Sequence, residues 1–235
     1  MTAANLSKPT TAQAPLPATL AELQAMLKKR GRARYAAGLI DGVASMLQAG
    51  DVVCDCGANV GAVTGVLLAS GATVHAFEPD PHGSKILAEK FGHLPNFTLH
   101  SVAVGTAARK ATFYRDANND HPDKSGLGHT LFDTSRFVQN NKQRSQIEVD
   151  VIDFPAFLAD ILDSGDNLPF VKLDVEGAEL GIVRRMLDTA MFDRIRLTLA
   201  ETHERIIPDW ADDYARLRRD VAARYPKSRV NLDWI

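Results

Sequence analysis

The sequence predicts an α/β fold in which a mostly parallel sheet carries helices on both faces. Three observations predict it. Short runs rich in Val, Leu and Phe, as strands buried on both faces require, recur along the chain from Asp51. Stretches with apolar residues three and four apart lie between most of them. A glycine-bearing turn follows the first run and opens a helical stretch, and sheets of this kind bind ligands outside the carboxyl ends of their strands.

Residues 1–18, rich in Thr, Ala and Pro, are expected to form a flexible tail. Two helices are expected within 19–50. The first starts at Thr19, in capping-box spacing with Glu22, and puts Leu20, Leu23 and Leu27 on one face. The second covers 35–47. Lys28, Lys29, Arg30, Arg32 and Arg34 between them read as a solvated helix end, where cations suit the dipole.

The main domain spans 51–235. Its strand-like runs are DVVCDC (51–56), ATVHAFE (72–78), FTLHSVAV (97–104), PFVKLDV (169–175) and RIRLTLAE (194–201), with ATFYR (111–115) and IEVDVID (147–153) in addition. Helices are expected over 60–68, over PHGSKILAEKF (81–91), where Pro81 suits a first turn, and over GAELGIVRRML (177–187), with Leu180, Val183 and Leu187 on one face. A last helix follows in PDWADDYARLRRDVAARY (208–225), with Trp210, Tyr214, Leu217 and Val221 sharing a face, and RVNLDWI (229–235) supplies one closing strand. The long polar stretch at about 116–146 is either disordered or a lid, because structureless loops of that length are uncommon in compact domains, and a substrate-covering lid is the expectation.

A length of 235 residues suits one such domain with a tail and an insertion, and a net charge of −2 argues for no particular partner. No nucleic-acid or membrane partner is expected. The start has neither a basic first segment nor an apolar run, and no stretch approaches the roughly 18 apolar residues of a membrane helix. A cytoplasmic location is the expectation. Cys54 and Cys56 alternate on one strand, where a disulfide would be badly strained, so they read as small buried apolar side chains.

The first turn, VVCDCGANVG (52–61), sets the ligand argument. A dinucleotide needs GxGxxG for its pyrophosphate, and here Asn59 stands where the second glycine should be. Asp55 would also face that pyrophosphate. Two like charges about 5 Å apart at an effective dielectric of ~20 repel by roughly 3 kcal/mol. S-adenosylmethionine has no phosphate and carries an ammonium and a sulfonium, so an acid there, acting directly or through water, attracts it. Glu78, ending the second strand, is placed to accept hydrogen bonds from the ribose hydroxyls.

CDCGANVG, VHAFEPD, HSVAVG and VKLDVEGAEL, in this order from about 51 to 203, resemble the successive motifs of the FkbM family of S-adenosylmethionine-dependent methyltransferases. The resemblance implies a class I methyltransferase (Rossmann-like) fold and methylation of a hydroxyl on a sugar or small natural product. It implies cofactor contacts from Asp55, Gly57, Ala58, Asn59 and Gly61, from Glu78 and Pro79, and from Ala103 and Val104. The single strand after the last helix departs from the usual hairpin ending of that fold.

Methyl transfer to an alcohol requires alignment and removal of a proton. The fourth strand of the alternation ends with Lys172, Asp174 and Glu176 on one side; the two acids suit a general base, substrate contacts or a hard cation, and Lys172 equally suits an ion pair with Asp174. No metal is assigned. Glu179 reads as a solvated first-turn acid. The fifth strand ends in Glu201 and His203, and an imidazole with a free pKa near ~6.5 suits a proton acceptor. His75 and His100 read as packing residues, and His129 as a possible substrate contact. The competing readings are an RNA or protein methyltransferase, an NAD-dependent Rossmann oxidoreductase, and a domain that binds the cofactor without catalysis; the chain has no (D/N)PP(Y/F) tetrapeptide of amino methylation.

Overall fold

The structure, a computed structural model, describes residues 19–116, 129–140 and 144–234. The expected tail and two parts of the expected lid, 117–128 and 141–143, lie outside the described residues.

The chain alternates as its sequence pattern requires. Strands β1 (Asp51–Cys56), β2 (Thr73–Phe77) and β3 (Phe97–His100) are joined by helices α2 (Ala62–Ala69) and α3 (Pro81–Phe91), which follow α1 (Leu20–Ala44). Then come β4 (Ala103–Gly105), β5 (Arg109–Asp116), α4 (Arg136–Asn140), β6 (Arg144–Asp153) and α5 (Phe154–Ser164). The last third supplies β7 (Asn167–Leu173), α6 (Glu179–Asp188), β8 (Leu197–Ala200), α7 (Ala211–Arg224) and β9 (Val230–Asn231). Six strands form one sheet in the order β3-β2-β1-β7-β8-β9. Every pairing in it is parallel. The order reverses at β1, so the carboxyl ends of β1 and β7 flank the crevice where such sheets bind ligands.

Four expectations need correction. The two helices expected within 19–50 are one, because Gly31 costs only about 1 kcal/mol and the flanking Ala, Arg and Leu favour helix. Its capping box forms as expected, with Thr19 Oγ1 accepting from the Glu22 N–H at 3.1 Å. Only Ala36, Ile40 and Val43 of it are buried; Leu20 and Leu27 are 71% and 56% exposed. The run 97–104 is not one strand: the chain turns at Ser101 and Val102, and β4 joins β6 and β5 in a second sheet of three strands. Residues 154–164, unassigned from the sequence, form α5, with Asp153 accepting from the Ala156 N–H at its start and Phe154, Leu158 and Leu162 buried. On α6 Val183 and Leu187 are buried and Leu180 packs half-buried against the core as expected, but the buried stripe also takes in Glu179, Ile182 and Met186.

The closing strand β9 lies parallel to β8, pairing Val230 with Thr198, so the far edge is a crossover through α7 and not a hairpin. Tyr214, Leu217 and Val221 of α7 are buried as expected, while Trp210 is half-buried, edge-on to Phe132 at 4.7 Å. Among the described residues no helix is long and apolar enough to cross a membrane.

Candidate active site

A cleft of about 930 Å³ opens at the carboxyl ends of β1, β2, β7 and β8, with β4 and β5 on one side and α1 at its mouth.

The floor begins with a buried ion pair. Asp55 is paired in register with Lys172 across β1 and β7. Its carboxylate is fully buried, with Oδ1 3.0 Å from Lys172 Nζ and Oδ2 accepting from the Thr64 hydroxyl at 2.7 Å. Lys172 also donates to the carbonyl oxygens of Gly57 at 2.7 Å and Cys56 at 3.3 Å. Burial works against the ammonium, but Asp55 and then Asp174 outweigh it and hold it charged. The expectation that Asp55 meets a cation of the ligand is therefore corrected: neither Asp55 nor Lys172 lies on the cleft wall, and the cation that Asp55 meets is the lysine. The pair pins the turn instead of touching its guest.

The turn itself is shaped by close approach. Gly57 has φ +74°, and a Cβ there would lie 1.8 Å from the Asp174 carbonyl oxygen. Gly61 has φ +86°, and its Cβ would meet the Phe91 ring at 2.5 Å. Gly57 and Asn59 line the cleft. Ala58 and Gly61 do not: Ala58 packs with Ala76 and Leu87, so these two serve packing against α3.

Glu78, at the end of β2, faces the cleft with Pro79, Ala103 and Val104, all four placed as expected. Its oxygens accept from the backbone N–H of Asn59 at 2.8 Å and of Asp80 at 2.9 Å. Burial pushes the carboxyl up to about 7 against the pull of those two bonds. Beyond it stands a group that sequence reasoning missed. Asp80 caps α3 by accepting from the His82 N–H, lies 3.0 Å from Arg115 Nη2 and 2.8 Å from His129 Nδ1. Asp-Pro before a helical run signals the cap, but nothing local signals the other two partners.

At the opposite end, Asp174, Glu176, Glu201 and His203 converge on the cleft as expected. His203 Nε2 lies 3.3 Å from Glu176, 3.9 Å from Asp174 and 3.9 Å from Glu201. The missed residue here is Glu179, read as solvated and in fact fully buried. It accepts from the N–H groups of Val175 at 2.7 Å and Gly177 at 2.8 Å, and from His203 Nδ1 at 3.0 Å. Burial alone would lower the imidazole pKa; Glu179, then Glu176 and Asp174, outweigh it and push it up to about 10. That shift favours the imidazolium, which has no lone pair to take a proton, so it favours a fixed cation over the proton acceptor expected of His203. Glu201 is pushed up to about 7, by burial first and then by Asp174. Ligand atoms of Asp174, Glu176 and His203 lie within 4.8 Å of one another, a spacing that fits one cation.

The described part of the expected lid crosses between these two ends. Thr130 pairs with Tyr114 and donates its hydroxyl to the Glu176 carbonyl at 2.7 Å, and Arg136 N–H donates to the Ile206 carbonyl at 2.8 Å. At the mouth, Arg32 and Tyr35 of α1 line the cleft, so part of the basic cluster read as a solvated helix end belongs to mid-helix and faces the site.

A family model described as the methyltransferase FkbM domain matches residues 55–224. No curated protein and no solved structure matches the chain significantly. The matched segment runs from the Asp55 turn through both ends of the cleft to α7, nearly three quarters of the chain, and the chain belongs to the FkbM methyltransferase family.

Proposed function

We propose that this protein transfers a methyl group from S-adenosylmethionine to a hydroxyl of a sugar or small natural product. The observation that carries the reading is the division of one cleft into two chemically different ends. Glu78 and an apolar wall stand at the β2 and β4 side, and a cluster of ionisable groups stands at the β7 and β8 side.

The residues fit a sulfonium nucleoside. Glu78 keeps lone pairs for ribose hydroxyls beyond its two backbone bonds. Pro79, Ala103, Val104 and Phe113 offer apolar surface for a base. Asp174 and Glu176 take the part first expected of Asp55, as carboxylates on the cleft wall available to an ammonium. A pyrophosphate against them would meet net negative charge, which argues against a dinucleotide.

The bound cofactor supplies an electrophilic methyl on sulfur and leaves as a neutral thioether. The chain supplies proton acceptance and order. Glu201, with a pKa near neutrality, accepts the hydroxyl proton of the acceptor. His203 is fixed by Glu179, faces Glu201 with its other nitrogen and stabilises the charged forms of the surrounding carboxylates. Lys172 holds the carbonyls of the turn through hydrogen bonds, so the turn is set before ligand arrives.

The test is incubation of the protein with deuteromethyl S-adenosylmethionine and separate pools of small polyhydroxylated metabolites, RNA and protein. Label on an ether carbon of a small molecule supports the reading. Label confined to RNA or protein, or none in any pool, overturns it.

A further inference from the structure

We infer that His129 reads the base of the bound nucleoside: its Nε2 accepts a hydrogen bond from an exocyclic amino group, so the cleft takes adenine in preference to a 6-oxo purine. The inference deepens the reading of the cleft as an S-adenosylmethionine site and rests on it.

His129 is only 7% exposed, yet it lines the cleft. Its Nδ1 lies 2.8 Å from Asp80 Oδ2, and an ionised carboxylate can only accept, so Nδ1 carries a hydrogen. Asp80 is ionised: burial alone would raise its pKa, but the His129 and His82 hydrogen bonds and Arg115 together hold it below the ordinary range. Arg115 at 3.0 Å also pairs with Asp80, so the carboxylate has a countercharge besides the imidazole. In the neutral ring with Nδ1–H, Nε2 is a bare acceptor. That nitrogen is buried and has no hydrogen-bond partner among the described residues. Buried polar atoms in native proteins are nearly always paired, so a partnerless nitrogen on a ring that lines the cleft points to a donor on the ligand.

The ring is aimed, not loose. Phe113 meets it edge-on at 5.8 Å and 87°, and the next residue, Thr130, is tied to Tyr114 on one side and to Glu176 on the other. Its place selects the base over the methyl acceptor. Asp80 lies two residues beyond Glu78, the ribose acid, and the neighbouring wall of Pro79, Ala103, Val104, Phe113 and Leu131 is apolar, as purine faces require. The ionisable cluster belongs to β7 and β8, separated from β2 by β1. An adenine amino group gives Nε2 the donor it lacks; a 6-oxo group sets acceptor against acceptor.

The test compares S-adenosylhomocysteine with S-inosylhomocysteine by calorimetric titration of the full chain. Wild type is expected to bind the inosyl compound about 10- to 100-fold more weakly, the range for leaving a buried polar group unpaired. His129→Phe keeps the ring against Phe113 and is expected to bring the ratio close to 1, which a merely structural role would not do. Equal affinity of wild type for the two compounds overturns the inference without any variant, and so does an unchanged ratio in a folded His129→Phe. Wild type that binds neither compound overturns this inference and the function reading together, whereas strong adenosyl binding without discrimination overturns this inference alone.

Discussion

Removing the cation from beneath the glycine turn isolates the structural argument most cleanly. In Lys172→Met the carboxylate of Asp55, fully buried, keeps the Thr64 hydroxyl and loses its only ion-pair partner among the described residues. At 3.0 Å and an effective dielectric of ~20 the gross attraction is about 5.5 kcal/mol, most of which offsets desolvation of the two groups. The expected loss for the single variant is about 3–5 kcal/mol, a large share of the 5–15 kcal/mol typical of a domain. Asp55→Asn alone leaves the ammonium with Asp174 at 3.8 Å and two backbone carbonyls, and is expected to cost less than Lys172→Met. The double variant Asp55→Asn/Lys172→Met removes both charges and is expected to lose less than the sum by at least ~2 kcal/mol. Urea unfolding reads this as shifts in midpoint at constant slope. Strict additivity, or a single-variant cost below ~1 kcal/mol, refutes the pair as the device that pins the turn.

Three further outcomes follow from the two ends of the cleft. Glu201→Gln keeps shape and hydrogen bonding and removes the proton acceptor, so kcat is expected to fall by about 10²- to 10⁴-fold with cofactor affinity little changed, read in single-turnover methyl transfer. In the wild type, kcat/KM is expected to rise as pH passes through about 7, where Glu201 loses its proton, and a profile flat from pH 5 to 9 contradicts that role. His203 has a folded pKa raised to about 10 above its ordinary 6.5, so its contribution to stability is full below pH 6.5 and fades as pH rises through 10. The slope in that window is at most about 1.4 kcal/mol per pH unit, and Glu179→Gln is expected to flatten it and to bring the imidazole titration, followed by NMR, toward neutrality.

The sequence made the alternation legible because buried parallel strands and the helices between them have different periods. The second sheet was not legible: β4 is three residues long, and no period can be read from three residues. Site positions at strand ends were legible for the same reason, since Glu78, Asp174, Glu176 and Glu201 each close an apolar run. Their partners were not. Asp55 meets Lys172 only because β1 pairs with β7 in that register, and a sequence does not display register between distant strands. Glu179 was misread by one step of helical phase: the stripe of Leu180, Val183 and Leu187 places it outside, whereas 179, 182, 183 and 186 place it inside. That one step turned His203 from an expected proton acceptor into a fixed cation. The Asp80, Arg115 and His129 cluster joins three segments far apart in the chain, and only the fold brings them together.

Glu78, at the end of β2, is the acid proposed to hold the nucleoside ribose. Equilibrium titration of S-adenosylhomocysteine into wild type and Glu78→Ala tests this directly. Losing charge-assisted bonds of about 1.5–3 kcal/mol predicts binding about 10- to 150-fold weaker in the variant, with its circular dichroism unchanged. Equal affinity in the two proteins, or no binding by wild type, contradicts the account.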